Sequence, residues 1–217
     1  MVGNVTMTKG VFITFEGGEG CGKTTQIKLF ADYLKNKGYD VVLTREPGGS
    51  QGAEEIRSLL LKGDTNKWDK LTEILLFSAA RRDHLVKKIW PALNKGQVVI
   101  SDRFADSTLA YQGYGYGADK QIIQTANDMY RLIADDFRPD ITFILDINPE
   151  IGVSRSMARI DNNEQRFENM DLTFHHNLRN GFLDIAKTDP KRYIVIDASQ
   201  DIEHVHQEII SKFEGRV

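Results

Sequence analysis

The sequence predicts an α/β fold, a five-stranded parallel sheet sandwiched between two layers of helices. Three observations carry that expectation. Five short runs, 11–16, 41–45, 98–102, 141–146 and 193–197, are mostly continuously apolar rather than alternating, as strands covered on both faces must be. Helical patterns separate them, and strictly interleaved strands and helices imply a doubly wound sheet. The first run passes at once into a glycine-rich loop and a helix start.

Taken in order, Val11-Phe12-Ile13-Thr14-Phe15 leads the first strand, and the helix after the loop spans 23–37, closed by Gly38 as a C-cap glycine. The second strand ends in Thr44-Arg45-Glu46-Pro47-Gly48-Gly49, where proline and two glycines force a turn. Helices are expected over 53–62 and 71–95. A third strand, 98–102, closes on Ser101-Asp102, and a helix over 120–135 precedes the fourth strand. Helices over 149–160, 172–188 and 202–213 complete the chain around the fifth strand. The stretch Gly113-Tyr114-Gly115-Tyr116-Gly117 reads as a loop. There is no internal repeat, low-complexity segment or linker, so 10–217 is expected to be one domain and 1–9 a disordered leader.

The 217 residues suffice for one self-standing core. A net charge of −3 excludes the broad basic field of a nucleic-acid binder, and no apolar run approaches a membrane span. The single cysteine, Cys21, rules out an internal disulfide or a thiolate metal cluster, and the default expectation is a cytoplasmic protein. Cys21 itself is read as a small residue filling a loop position.

The loop Gly17-Gly18-Glu19-Gly20-Cys21-Gly22-Lys23-Thr24 fills G-x-x-x-x-G-K-[ST] between strand and helix. Its glycines let successive N–H groups face a polyphosphate at a helix N-terminus. Lys23 is expected on the β/γ-phosphates and the Thr24 hydroxyl on Mg²⁺. The fold is therefore P-loop NTPase-like, with ligands expected beyond the carboxyl ends of the strands. Asp102 ends a buried strand and needs a cation, which makes it a second candidate Mg²⁺ ligand, through water. Arg45 and Arg103 follow two strand ends. Their planar forks suit phosphate, and a triphosphate is already served by the loop, so they point to a separate monophosphate acceptor. Phe77 and Arg81, four apart on one helix, suit a nucleobase: a ring to stack and a guanidinium to donate. Ser107, Thr108, Tyr111 and Gln112 are spaced over the same edge. Arg155 and the expected lid arginine four residues on would repel each other without an anionic partner, and Arg166 follows a polar loop; together they suggest an arginine-bearing lid over 155–168.

These motifs resemble the bacterial thymidylate kinases. The resemblance spans Gly10 to about Phe213 and rests on Phe15 through Thr25, Arg45-Glu46-Pro47-Gly48-Gly49, Leu76-Phe77-Ser78-Ala79-Ala80-Arg81, Ser101-Asp102-Arg103-Phe104 and Ser107 through Gly113. Phe137-Arg138-Pro139-Asp140 and Asp197-Ala198-Ser199 add to it. It implies a nucleoside-monophosphate-kinase-like domain, usually homodimeric, that uses Mg-ATP to phosphorylate dTMP. By resemblance, Glu19 faces the acceptor's 3′-hydroxyl, and Arg45 and Arg103 clamp its phosphate. Phe77 stacks on thymine, Arg81 donates to O4, Thr108 and Gln112 lie around the thymine edge, and Ser107 and Tyr111 belong to the same dTMP site. Phe167 lies near the sugar's 2′ position. The nucleotide would be held by 17–25, by Arg155 stacking on adenine and by the Ala198-Ser199 loop. The loop positions Gly20 and Cys21 are neutral, so the catalytic arginine is expected in the lid, Arg159 first and Arg166 next.

Two other readings stay open on the residues alone. One is a kinase for a nucleoside or another monophosphate. The other is a non-catalytic nucleotide switch, for which Asn66-Lys67-Trp68-Asp69 matches a guanine motif in letters but precedes the Asp102 strand.

Overall fold

The computed structural model describes residues 10–158 and 166–216. The expected leader 1–9 and the lid position Arg159 lie outside them. Five parallel strands, β1 (Val11–Glu16), β2 (Val41–Arg45), β3 (Val98–Asp102), β4 (Ile141–Asp146) and β5 (Tyr193–Asp197), stand in the order β2-β3-β1-β4-β5. In the centre, Ile13 of β1 lies beside Ile100 and Ile141 of its two neighbours. The glycine loop therefore leaves the middle strand, where the order reverses, at the edge where such sheets bind ligands.

The helices are α1 (Lys23–Asn36), α2 (Gln51–Leu61), α3 (Lys70–His84), α4 (Trp90–Asn94), α5 (Ala105–Thr108), α6 (Lys120–Ala134), α7 (Pro149–Met157), α8 (Leu172–Thr188) and α9 (Ile202–Glu214). Successive residues of β1 feed opposite layers. Ile13 and Phe15 pack with Phe30 and Leu34 of α1 and with Ile209 and Phe213 of α9. Phe12 faces the other way, against Leu85, Ile89, Phe104 and Tyr130. A further cluster under α8 joins Leu178 and Phe182 to Tyr111 and Ile144. Both sheet faces are thus apolar, which is why the strands read as unbroken hydrophobic runs.

Two segments differ from the sequence expectation. The helix expected over 71–95 is interrupted by a π-helical turn, Leu85–Ile89, in which the Trp90 N–H reaches back five residues to the Leu85 carbonyl. Pro91 explains it, since its nitrogen cannot donate to the carbonyl four residues back and its ring crowds that group. A second π turn, Leu109–Tyr114, follows α5, and the Gly115 N–H bonds the Ala110 carbonyl. The glycine–tyrosine stretch expected as a loop therefore begins inside helical structure.

Five of the described helices start on a side-chain cap, whereas α1 and α2 do not. Asp69, Asp119, Asn148, Asp171 and Asp201 each cap a helix with their own side chain. Helix α1 starts at Gly22, φ 92, with no side-chain cap. Its first N–H groups are left to an external anion.

Candidate active site

The loop between β1 and α1 is held in shape by positive φ at Gly17, Gly20 and Gly22. Space is as restrictive as conformation. A Cβ on Gly20 would lie 1.9 Å from the Gly152 carbonyl oxygen, and one on Gly152 would lie 2.4 Å from that of Glu19. The loop and α7 meet backbone to backbone. Lys23 turns its ammonium into the loop, donating to the carbonyls of Gly17 (3.1 Å) and Gly18 (2.9 Å). Cys21 is buried and packs into the core under α1. Gly18 and Thr25 complete the loop, Thr25 donating its N–H to Gly22 (3.1 Å). The Thr24 hydroxyl reaches Asp102 Oδ2 at 3.3 Å, so the hard oxygens expected around a divalent cation stand side by side.

Two of the cavities that border this loop adjoin each other. One, about 130 Å³, is lined by Glu19 through Thr24 with Asp102 and Ser156. The other, about 180 Å³, is lined by Phe77, Arg81, Ser107, Thr108, Tyr111, Gln112 and Phe167, together with Glu46, Pro47, Arg57 and Leu61. Glu19, Arg103 and Glu168 border both.

Arg103 sits at that junction in a left-handed conformation, φ 66, which a non-glycine residue adopts only when its surroundings hold it. They do. Its N–H bonds the Phe15 carbonyl (2.9 Å), and Ser101 Oγ donates to its carbonyl (2.7 Å). Glu16, fully buried at the end of β1, accepts the next N–H, that of Phe104 (2.8 Å), and the Ser107 hydroxyl (2.6 Å). The guanidinium then bonds Gly17 O (2.9 Å), Ser107 Oγ (3.2 Å) and Glu19 Oε1 (2.9 Å) and lies over the Tyr111 ring. Tyr111 donates its hydroxyl to the same Glu19 oxygen. Burial opposes the charge on Glu19, but Arg103 and Lys23 hold its carboxyl below the ordinary value.

Burial, then the nearby charge of Asp106, pushes Glu16 from 4.5 up to about 8. The folded protein thus keeps a proton there that the unfolded chain gives up near pH 4.5. Stability falls through this group as pH rises from 4.5 towards 8. We expect Glu16→Gln to flatten that fall by an amount on the order of a few kcal/mol. Urea midpoints of both proteins at pH 5 and pH 8.5 check it; equal slopes would show Glu16 is ionised in the fold.

Deep in the larger cavity, Arg81 Nε pairs with Glu46 (2.7 Å), and its Nη2 donates to Thr108 Oγ1 (2.9 Å) and Phe104 O (3.3 Å). His84 holds the other Glu46 oxygen (3.0 Å). Arg81 is 3% exposed, so this ion pair fixes where its remaining N–H groups point. Phe77 lies half-buried on the wall, and Phe167 meets Tyr111 edge-on at 5.3 Å.

The structure does not bring every expected residue to these cavities. Arg45 is half-exposed at the end of β2 and pairs with Glu54 of α2 at 3.1 Å; it does not line the acceptor cavity, whereas Arg57, which the sequence reading missed, does. Arg166, expected to reach the transferring phosphoryl, is 2% exposed and committed elsewhere: it pairs with Glu73 and donates to the carbonyls of Asp64 (2.8 Å), Leu60 (3.2 Å) and Thr65 (2.7 Å). A buried guanidinium needs that many acceptors, and α2, α3 and the turn between them supply them. Arg155 is exposed on α7. Ala198 and Ser199 follow β5 on the same sheet edge, Ala198 tied to β4 through Asp146 O (2.8 Å) and Ser199 to Asp197 (2.9 Å). Asp69, in the stretch that matched a guanine motif, caps α3.

A family model described as thymidylate kinase matches residues 15–209. The chain belongs to the thymidylate kinase family. It is 48% identical over 200 residues to the thymidylate kinase of Ruegeria pomeroyi, covering 92% of each chain. To that of Caulobacter vibrioides it is 49% identical over 199 residues, covering 92% of this chain and 93% of the relative. The crystal structure of thymidylate kinase from Ehrlichia chaffeensis superposes with a TM-score of 0.74 at 44% identity, covering 95% of this chain and 99% of that one. The P-loop NTPase architecture and the kinase class both follow from this membership, and neither the nucleotide switch nor another acceptor is favoured. No described helix is long and apolar enough to cross a membrane.

Proposed function

We propose that the chain transfers the γ-phosphoryl of ATP to a 5′-phosphate oxygen of dTMP, giving ADP and dTDP, with the transfer at the junction bordered by Glu19 and Arg103. The observation that carries this is the pair of adjoining cavities, one built on the phosphate loop and one on an aromatic wall with a fixed arginine. A P–O bond forms to the acceptor and the bond to the β–γ bridging oxygen breaks. No base is required, because a phosphate monoester is largely dianionic at neutral pH. The chain's task is to align two anions and offset their charge.

Lys23 leaves the Gly17 and Gly18 carbonyls for the donor's phosphates, and the α1 N-terminus takes the phosphate negative charge. Arg103, with Arg57 of α2 on the wall of the same cavity, holds the acceptor phosphate. Glu19 then meets the 3′-hydroxyl. Phe77 stacks on the base, and Arg81 donates to O4; cytosine carries an amino donor there, which would face donor against donor. Phe167 crowds the 2′ position. Mg²⁺, held by Thr24 and, through water, by Asp102, would neutralise charge on the phosphates. The arginine that completes the site is assigned to Arg159, because Arg166 is engaged with Glu73. The same reading puts the enzyme's work in the cytoplasm.

ADP release from Mg-ATP with dTMP, dUMP, dCMP, dGMP, AMP or thymidine tests the reading. Release with dTMP far above the rest is expected; release with a purine monophosphate instead would overturn the assignment of Phe77 and Arg81.

The same reading includes a homodimer formed across α3. Leu71 and Leu75 are 48% and 47% exposed there, with Val86, 45% exposed, on the π turn that follows and Leu132, 78% exposed, on the neighbouring α6. Leu85 and Ile89, on the π turn that follows α3, are fully buried in the core and stay out of this surface. A charge placed in the stripe by Leu75→Glu is expected to convert dimer to monomer in sedimentation equilibrium. An unchanged mass would move the interface elsewhere.

A further inference from the structure

Glu73 of α3 stands behind the base pocket, 1% exposed, and neither the sequence motifs nor the transfer chemistry uses it. One carboxylate oxygen pairs with Arg166, and the other accepts Gln112 Nε2 at 2.9 Å. Gln112 is itself fully buried on the π turn Leu109–Tyr114 and lines the acceptor cavity. Its Oε1 is buried and has no hydrogen-bond partner.

We infer that Glu73 sets base specificity by fixing which end of the Gln112 amide the acceptor meets. This rests on the pyrimidine-acceptor reading above. An amide side chain can present either its oxygen or its NH₂ to a ligand. A carboxylate only accepts, so an ionised Glu73 captures the NH₂ and leaves the oxygen for the base. Burial raises the Glu73 carboxyl above its ordinary value, against the pull of Gln112 and Arg166. Arg166 supplies the cation that keeps the ionised form, and this is the role of an arginine with no place at the phosphates. Thymine and uracil carry an N–H at ring position 3 and satisfy Oε1. Cytosine carries a bare nitrogen there and would set acceptor against acceptor in a dry pocket. Glu73 touches no substrate; it is a positioning residue. Arg166 also bonds the 64–65 turn, so the C-terminal end of the lid segment is fastened to the group that orients the base.

The test is calorimetric binding of dTMP, dUMP and dCMP to the full chain, with kcat and KM for each. In Glu73→Gln the partner can accept or donate, and Gln112 is free to turn. Preference for dTMP over dCMP is expected to fall at least about tenfold, the usual scale for one polar group left unpaired. The loss should sit in KM for dTMP, with the KM for ATP unmoved. Glu73→Asp, which keeps the charge but withdraws it from the amide, should show a partial loss and carries the test if Glu73→Gln does not fold. In a Gln112→Leu background the Glu73 substitution should change the preference no further. An unaltered dTMP/dCMP ratio in a folded variant, or an equal loss in the Gln112→Leu background, would overturn the inference. Failure of the unsubstituted protein to bind dTMP would overturn the acceptor reading instead.

Discussion

Arg103→Ala is expected to lower kcat/KM for dTMP by about 10³-fold or more, the range for arginines that neutralise a transferring phosphoryl group. ATP binding should survive, since the loop, Lys23 and Thr24 remain. Three features make the effect large. Arg103 borders both cavities, its guanidinium is shared between the loop carbonyl of Gly17 and Glu19, and its backbone is held in a conformation that costs energy. Arg103→Lys should recover little, because an ammonium cannot bridge Gly17, Ser107 and Glu19 from one planar group. Steady-state kinetics with dTMP and equilibrium binding of ATP separate the two halves of the expectation. Unchanged dTMP kinetics would remove Arg103 from the acceptor site.

Lys23→Met is expected to cost about 10²–10³-fold in kcat, as removal of one fixed donor at developing charge does elsewhere. Its signature should differ from that of Arg103→Ala. The loss falls on the donor side, so the affinity for dTMP measured by calorimetry stays near that of the unsubstituted chain while ATP affinity drops. In the free protein the ammonium bonds two loop carbonyls, Gly17 and Gly18, and the methionine leaves both without that donor. A variant that retained turnover would mean another cation reaches the β/γ-phosphates.

The strands and their order of function were legible because unbroken apolar runs and a glycine loop are local signals. All five strands run over the residues read from the sequence. The π turns were less legible: Pro91 was visible, but where the backbone would widen upstream of it depends on packing against Phe12 and Phe104. Among cavity residues, those in contiguous motifs such as Asp102-Arg103 announce themselves. Arg57, on the cavity wall, and Glu73, behind it, lie in no such motif, and the motif that contains Glu46 does not reveal its task; the two carboxylates take their meaning from partners far along the chain, Glu46 from Arg81 and Glu73 from Arg166. Arg45 and Arg166 show the converse. Both look like phosphate ligands when counted as charges near motifs, and each is taken up by a carboxylate, Glu54 or Glu73, that only the fold brings near.

The contact between Gly20 and Gly152 has a consequence for how this site can change over time. An arginine at position 20 would bring a cation to the phosphates from the loop rather than from the lid. In this chain φ 65 and the Gly152 carbonyl leave no room for a side chain at that position. Moving the charge from lid to loop therefore takes at least two coordinated changes, a new loop residue and a retreat of α7. Each alone is a loss: the first collides with a helix, and the second opens a gap beside the phosphates. The two arrangements are separate adaptive peaks, and a pair of touching glycines forms the valley between them.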